Sequence, residues 1–533
     1  MKSPNYAVKM VRSIRIIQVL FLVSGLLIIS GVTAQGQESN AGDDTTSALR
    51  FAVKYDSSIT ESFTGRVYLM FASERSGREP RFGPGWINPA PFFAIEAKDW
   101  KPGEEIYFDK DTELSFPEPL DQIKSGSFKA QAVMRRNIDS PNIGTGAGSA
   151  YSQVVTINLD KTAKSFTTGE VNLTIKDIVK PEPFKQTKRL KLVNTKSNLL
   201  SQFYGRDITL HTAVILPKSY DEDSARKYPT LYWIGGFGSS YRRAPGLLRM
   251  LDGMNVTDDL CVVVLDPSCY FGHHVFADSA TNGPRGESLI TEIIPQLENE
   301  YRLVSSPDAR FLTGASSGGW SSLWLQVTYP DYFGGTWSLV PDPVDFRDFQ
   351  RINLYTDDAN MYQDENGNRR PLMRFTRNNK EQVMIWYEDF AKMEVVMGPG
   401  GQLRSFEAVF SPLGADGLPM PLYNRQTGAV NHEVAESWKP YDIRLKLENN
   451  WQTLAPKLHG KIHVFAGELD NFYLDGAARL LKKSLADLGS DAVVEILPGK
   501  NHGSVLDQSM MHRIHDGAVD WFASHRHGNT DDH

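Results

Sequence analysis

The segment FLTGASSGGWSS places Gly314, Ser316 and Gly318 in a G-x-S-x-G pattern. A serine held on a strand-to-helix turn needs small neighbours on both sides, because the turn is strained and pushes the hydroxyl clear of the backbone. The pentapeptide alone is weak, since short motifs recur by chance. Its flanks carry the argument: ARFLTGA reads as an apolar strand ending at the motif, and SSGGWSSLWLQVTY continues as a helix. Ser316 is therefore the candidate nucleophile. A serine hydroxyl needs a base, and for a serine on such a turn the partners follow in the order serine, acid, histidine. His502, in the loop PGKNHG after the strand AVVEILP, reaches the sheet's carboxyl edge, whereas His463 lies inside a strand and His512 and His515 lie on the closing helix. His432, in a less regular stretch, is its competitor. The preceding strand ends in KIHVFAGELDNF, where Asp470 lies further past the strand end and Glu468 is placed to support the turn. Asp470 is the expected acid, orienting the imidazole and stabilising the imidazolium. Two donors are needed for an oxyanion: the N–H of Ser317, next after the nucleophile, and that of Phe237, with Gly236 adjacent, in the loop GGFGSS after the strand YPTLYWI.

Other groups are candidates for binding substrate. Asp342 with Asp345 and Arg242 with Arg243 flank predicted strand ends, Tyr241 lies beside the latter pair, and solvated loop charge is the plainer account of all four charges. His273 and His274 adjoin in sequence, so they point to different sides and read as surface or loop residues, not as metal ligands.

Two textures position these residues. In SFKAQAVM and EVNLTIKD apolar residues alternate with polar ones, and VYLMFA, PFFAIEA, EIYFD and SQVVTINL add further runs between Gly, Pro and Asp turns. Period two means half-buried strands, so residues 49–180 are expected to form a smaller all-β sandwich of about seven strands. It holds no catalytic cluster, and its loop SGREPRFGPGWINPAP reads as packed, with contact to a ligand as the alternative. The prolines of VKPEPFKQTKR mark residues 181–189 as a linker. Residues 190–533 alternate apolar strands such as LCVVVLD and KIHVFAG with helices such as SLITEIIPQLENEYR and GAARLLKKSLADLG. Strands buried on both faces with helices between them imply an α/β fold with a mainly parallel sheet and helices on both faces. Residues 345–455 interrupt the alternation with turns and one helix, whose stripe of Val383, Trp386, Phe390, Met393 and Met397 packs on the core. This insertion is expected to cap the carboxyl edge, with Tyr387 and the loop after Gly398 free to line the substrate pocket.

The 533 residues are 41% apolar and 23% charged, which excludes wholesale disorder, and the net charge of −7 comes with no Lys/Arg-dense block, which excludes a nucleic-acid partner. Lys2, Lys9, Arg12 and Arg15 precede the apolar run IIQVLFLVSGLLII, and Val32 and Ala34 stand before Gln35. Residues 1–34 are thus expected to be an export signal and residues 35–48 a solvated leader, leaving an exported protein in the periplasm or the medium and off the membrane. Two cysteines, Cys261 and Cys269, have neither disulfide-scaffold nor zinc spacing and read as buried thiols.

YPTLYWIGGFG, HVFADS, ITEIIPQLENEYR, FLTGASSGGWSSLWLQVTYPDYFGG, FAGELD and GKNHG together resemble the Putative esterase family of the α/β-hydrolase superfamily, which includes esterase D, enterochelin esterases, feruloyl esterases and mycolyltransferases. The resemblance implies Ser316, Asp470 and His502 as the triad, with no cofactor and no metal. Members commonly carry His-Gly at the oxyanion loop; here Gly235 stands in place of that histidine. The expected function is a serine hydrolase cleaving a small-molecule or carbohydrate ester (feruloyl, acetyl or siderophore-type) through an acyl-enzyme. Acyl transfer, peptide cleavage and a catalytically silent binding protein are the alternatives, and the oligomeric state is open.

Overall fold

The computed structural model describes residues 49–160, 162, 167–256, 258–378 and 380–525, so the expected export signal and leader lie outside the described residues. Period-two runs in the first part become β1 (Arg50–Tyr55), β2 (Phe63–Ser73), β3 (Phe92–Trp100), β4 (Ile106–Phe108), β5 (Leu114–Phe116), β6 (Ser127–Met134), β7 (Ala150–Ser152), β8 (Val155–Asn158) and β9 (Glu170–Ile178). Where the sequence predicts a sandwich of about seven strands, these nine join in one hydrogen-bonded path, β4-β1-β9-β7-β6-β2-β3-β5, with β8 beside β6. The path curls over. Phe51 on β1 and Phe71 on β2 are four strand spacings apart in that order, about 19 Å if flat, yet their ring centroids are 5.7 Å apart. The enclosed face makes its own core from residues such as Val53, Leu69, Phe93, Ala132 and Leu173.

The other face of β2, β3 and β6 is not given to solvent. Tyr68, Met70, Phe92, Ala94 and Val133 enter a second core shared with the rest of the chain, and β6 is therefore buried continuously from Ala130 to Met134.

From residue 190 the strands are β10 (Leu190–Ser197), β11 (Ile208–Ile215), β12 (Thr230–Ile234), β13 (Cys261–Leu265), the short hairpin β14 (Ser268–Cys269) and β15 (Gly272–His273), β16 (Arg310–Ala315), β17 (Gly335–Leu339), the hairpin β18 (Pro371–Arg377) and β19 (Lys380–Trp386), β20 (Ile462–Gly467) and β21 (Val493–Leu497). Eight of them form a sheet in the order β10-β11-β13-β12-β16-β17-β20-β21. From β13 to β21 neighbours are parallel, and β10 and β11 are antiparallel. Alternate residues serve opposite faces: Leu231, Val262 and Phe311 meet the helices Ala244–Met254 and Gln508–His525, while Tyr232, Val263 and Leu312 meet the helical stretch around Leu289–Leu297. Both cysteines are free and buried.

Between β17 and β20 the structure departs from the single expected helix. Val383 and Trp386 belong to strand β19, and the helix begins only at Tyr387. The three- and four-residue spacings hold from Phe390 onward; before it, EQVMIW pairs with β18 as an antiparallel strand. Three more helices follow, Gln402–Phe410, His432–Trp438 and Ile443–Leu458.

The β-rich segment grips this insertion. A helix leaves its last carbonyls without intrahelical donors. At the end of the helix Tyr387–Met397, Arg66 Nη1 donates to the carbonyls of Val395 (2.7 Å) and Val396 (2.9 Å), Tyr68 Oη donates to that of Met397 (2.6 Å), and Arg135 donates to that of Pro399. The cationic guanidinium groups also suit the negative end of the helix dipole. The described residues accordingly belong to one compact unit. Residues 181–189, without regular secondary structure, are pinned too: Phe184 packs on Tyr241 at 5.6 Å and Arg242 Nη2 donates to the Glu182 carbonyl at 2.6 Å.

Candidate active site

The carboxyl ends of the parallel strands deliver Gly236 and Phe237 after β12, Ser316 after β16, Asp342 after β17, Asp470 after β20 and His502 after β21, the edge where α/β sheets bind ligands. Ser316 sits at φ 61° and ψ −125°, immediately before the helix Ser317–Thr328. Backbone in this left-handed region is strained for a residue with a Cβ. It is tolerated because the neighbours are glycines: a Cβ on Gly318 would collide with the Ile234 carbonyl, and one on Gly236 would lie 3.0 Å from the Ala315 carbonyl and 3.1 Å from Ser316 Cβ. The bare Gly236 backbone thus lies against the serine. The N–H of Ser317 opens the helix, where no preceding turn supplies an acceptor.

Asp470 is fully buried. Its Oδ1 accepts the N–H of Phe472 at 2.8 Å and its Oδ2 pairs with His502 Nδ1 at 2.8 Å. A carboxylate oxygen accepts, so Nδ1 is the donor of this pair and Nε2 is turned away from Asp470. Burial works to lower the pKa of His502, but the charge and hydrogen bond of Asp470, helped by the charge of Asp342, outweigh it and the net shift is upward. Glu468 accepts the N–H of Gly499 at 2.9 Å, in the turn leading to His502. The competing histidines go elsewhere: His432 faces the Asp357 carbonyl at 2.8 Å, His463 stacks on Trp337 at 4.9 Å, and His515 pairs with Asp516 at 3.0 Å.

Ser316, Asp342, His502, Gly236 and Phe237 line one cavity of about 250 Å³, whose remaining walls are mainly apolar: Trp86, Leu372, Phe390, Phe406 and Phe472. Ser316 and His502 face the same space without a hydrogen bond between them. The hydroxyl instead donates to Asp342 Oδ1 at 3.3 Å, while Asp342 Oδ2 accepts from Ser317 Oγ at 2.5 Å and from Gln402 Nε2 at 3.4 Å. Catalytic hydrogen bonds are often completed only when substrate is bound.

Several expected binding residues are corrected. Asp342 is no solvated loop charge; it is buried against Ser316, and Asp345 is buried in ion pairs with Arg347 (2.6 Å) and Arg444 (3.4 Å). Tyr241 and Arg242 hold the linker, and Tyr241 packs between Phe184 and His211, away from the cavity. Arg243, beside them, is exposed. Tyr387 is 1% exposed and packs on Tyr423, while Phe390, assigned by its spacing to the core, reaches the cavity. His273 and His274 are not surface residues; both are buried. The N–H of Val275 donates to His273 Nδ1 at 3.1 Å, so Nε2–H points to the Gly235 carbonyl at 2.9 Å and steadies the loop before Phe237. Burial lowers the pKa of His273 to about 4. Among the described residues no group of three or more His, Cys, Asp or Glu is placed to hold a metal ion.

Trp86, Gln402 and Phe406 also line the cavity; the sequence reads the loop of Trp86 as packed, with ligand contact as the alternative, and the stretch after Gly398 as pocket-lining, but singles out none of the three residues. Nothing local picks them out within those stretches, because each reaches the cavity from a segment whose position the hydrolytic motifs do not specify. Asp342 carried a signal, its place just beyond a parallel strand, the same kind of place that identified Asp470.

Asp342 has no cationic side chain bonded to it, and burial pushes its pKa up to about 6. A carboxyl whose folded pKa exceeds its unfolded value costs stability above the folded pKa, and the cost disappears as pH falls toward the unfolded value. Asp342→Asn is therefore expected to raise the melting temperature at pH 8, by the equivalent of ~1–3 kcal/mol, with the gain fading between about pH 6 and pH 4. It also removes a charge that raises the pKa of His502, so the acid limb of the kcat/KM profile moves to lower pH. Thermal melts at pH 8 and pH 4.5 check the first part; a melting temperature unchanged or lowered at pH 8 would contradict it.

The chain is similar to known hydrolases. The sequence profile of the Putative esterase family matches residues 201–479. Among solved structures, a ferulic acid esterase is 14% identical, covering 63% of this chain and 99% of its own, with a TM-score of 0.40. A fluorophosphonate-binding serine hydrolase of Staphylococcus aureus is 13% identical over 62% of this chain and 98% of its own, with a TM-score of 0.37. An S-formylglutathione hydrolase from Agrobacterium tumefaciens is 14% identical over 63% and 94%, with a TM-score of 0.36. No curated protein matches the sequence.

Proposed function

Because the chain belongs to the Putative esterase family, we propose that it is an exported serine hydrolase of the α/β-hydrolase kind, cleaving a carboxylic ester through an acyl-enzyme. The observation that carries this reading is the Asp470–His502 pair at 2.8 Å facing one cavity with a serine at φ 61° on a strand-to-helix elbow. His502 Nε2 takes the proton of Ser316 as Oγ attacks the ester carbonyl, and the imidazolium is stabilised by Asp470. The N–H groups of Phe237 and Ser317, the latter at the positive end of a helix, receive the oxyanion. His502 returns the proton to the departing alcohol, and water then releases the acid by the same steps. None of these steps calls on a cofactor or a metal.

The walls narrow the substrate. A cavity of about 250 Å³ surrounded by Trp86, Phe237, Phe390, Phe406 and Phe472 favours an apolar, flat arm such as the aryl group of a feruloyl ester over a bare acetyl group, because apolar area removed from water is the main gain on binding. Export rests on the basic residues and apolar run of the first 34 positions.

The test is covalent. A fluorophosphonate probe is expected to label the protein at Ser316, and Ser316→Ala is expected to remove both the label and the hydrolysis of an aryl ester. A folded wild-type protein that neither takes the probe nor turns over an ester panel would be a silent binder.

A further inference from the structure

Trp86 lies in the loop between β2 and β3, far in sequence from every reacting group. Its indole is nevertheless the meeting point of the cavity's rings: centroids lie 5.0 Å from Phe390 in an edge-on arrangement, 5.7 Å from Phe237 and 6.1 Å from Phe472. Phe472 in turn stands edge-on to His502 at 4.9 Å. The tryptophan also faces another space. A second cavity of about 520 Å³ lies between the β-rich loops and the insertion, with Pro89, Phe116, Met384, Trp386 and Met393 among its walls, and Trp86 and Phe390 line both cavities.

We propose that Trp86 is a specificity-determining residue of the catalytic site: with Phe390 it forms the wall that closes the catalytic cavity off from the larger apolar one, so that the β-rich segment sets how long an ester arm the site accepts. This rests on the reading of Ser316 as an esterase nucleophile. The two halves of the wall come from different parts of the chain and are held in register by the bonds of Arg66, Tyr68 and Arg135 to the carbonyl end of the helix that carries Phe390. Aromatic pairs of this kind are stabilised beyond their buried area, which keeps the wall shut. A substrate arm that ends at the indole fits the smaller cavity, and a longer arm meets the ring. With the indole removed, a longer arm continues into apolar surroundings and gains roughly fourfold in affinity for each methylene newly buried.

The experiment is a chain-length profile of kcat/KM on p-nitrophenyl esters from acetate to decanoate, for wild type, Trp86→Phe and Trp86→Ala, each checked by a thermal melt. Trp86→Ala is expected to raise the octanoate-to-acetate ratio of kcat/KM at least tenfold, and Trp86→Phe to keep the wild-type ratio. Should the alanine variant not fold, Trp86→Leu gives the same test with a smaller shift, and Phe390→Ala opens the wall from its other side. Running acetate esters of alcohols of rising length in parallel shows which arm lies against the indole. A folded Trp86→Ala (or Trp86→Leu) and Phe390→Ala whose profiles match wild type in both series, or which lose activity uniformly on all esters, overturn the wall. A wild type that hydrolyses none of the esters and takes no fluorophosphonate overturns the esterase reading itself, which separates the two failures.

Discussion

His502→Ala is expected to lower kcat on an activated ester by roughly three to four orders of magnitude, the loss that follows when a triad member is removed, while His432→Ala stays near wild type. Without the imidazole the Asp342 carboxyl still holds the hydroxyl at 3.3 Å, but among the described residues no buried acid stands behind it to stabilise a proton taken from Ser316, as Asp470 does for His502. Asp470→Asn is expected to fall almost as far. The carboxylate that accepts from His502 Nδ1 is replaced by an amide that can donate to it, so the neutral ring is driven toward the tautomer in which Nε2 carries the proton and cannot act as base. The pH dependence gives a second readout. Because the shift of His502 is upward, the acid limb of kcat/KM in the wild type lies above the ordinary histidine value of about 6.5, and activity is lost as pH falls through it. Steady-state kinetics across pH 5 to 9 check both statements; full activity in His502→Ala with loss in His432→Ala would transfer the base to the insertion.

Deleting the β-rich segment is expected to abolish activity and cooperative folding together. From the linker alone, residues 187–533 read as self-sufficient, since Ser316, Asp470, His502 and both oxyanion donors lie beyond the cut. The packing argues otherwise. Met70, Phe92, Val133 and Ile143 are buried in the core that contains Phe390, Met393 and Phe406. Uncovering such a face costs roughly 1.5–3 kcal/mol for each large apolar side chain, so a few of them approach the net stability of about 5–15 kcal/mol typical of a folded protein. The cut also strips the caps from Val395, Val396, Met397 and Pro399 and removes Trp86 from the cavity. Calorimetry and p-nitrophenyl acetate hydrolysis on the fragment give the answer. A fragment that melts cooperatively and keeps wild-type turnover would show that the two parts are independent.

What could be read along the chain was whatever local physics dictates. G-x-S-x-G between an apolar strand and a helix has one good explanation, because few residues other than glycine fit where backbones touch, as at Gly318. Asp470 and His502 were legible for a related reason: each stands just past an apolar run buried on both faces, and parallel strands present their carboxyl ends on one edge. Period two marked β6 and β9 as strands, but it could not say what covers the second face of β6; that face is buried by helices distant in sequence. The spacing of Val383, Trp386 and Phe390 satisfied a helix on paper, and pairing with β18 made the first two a strand. Tyr387 and Phe390 exchanged roles because where the helix begins and what lies beneath it decide which side faces the cavity. Asp342 looked like a loop charge, since burial is a property of the surroundings and not of the residue. Trp86 had no signature of its own within a loop that reads as packed. Its contact with Phe390 spans 5.0 Å in space and joins segments that only long-range packing brings together, so the chemistry was written locally in the sequence while the shape of the pocket was decided by the tertiary structure.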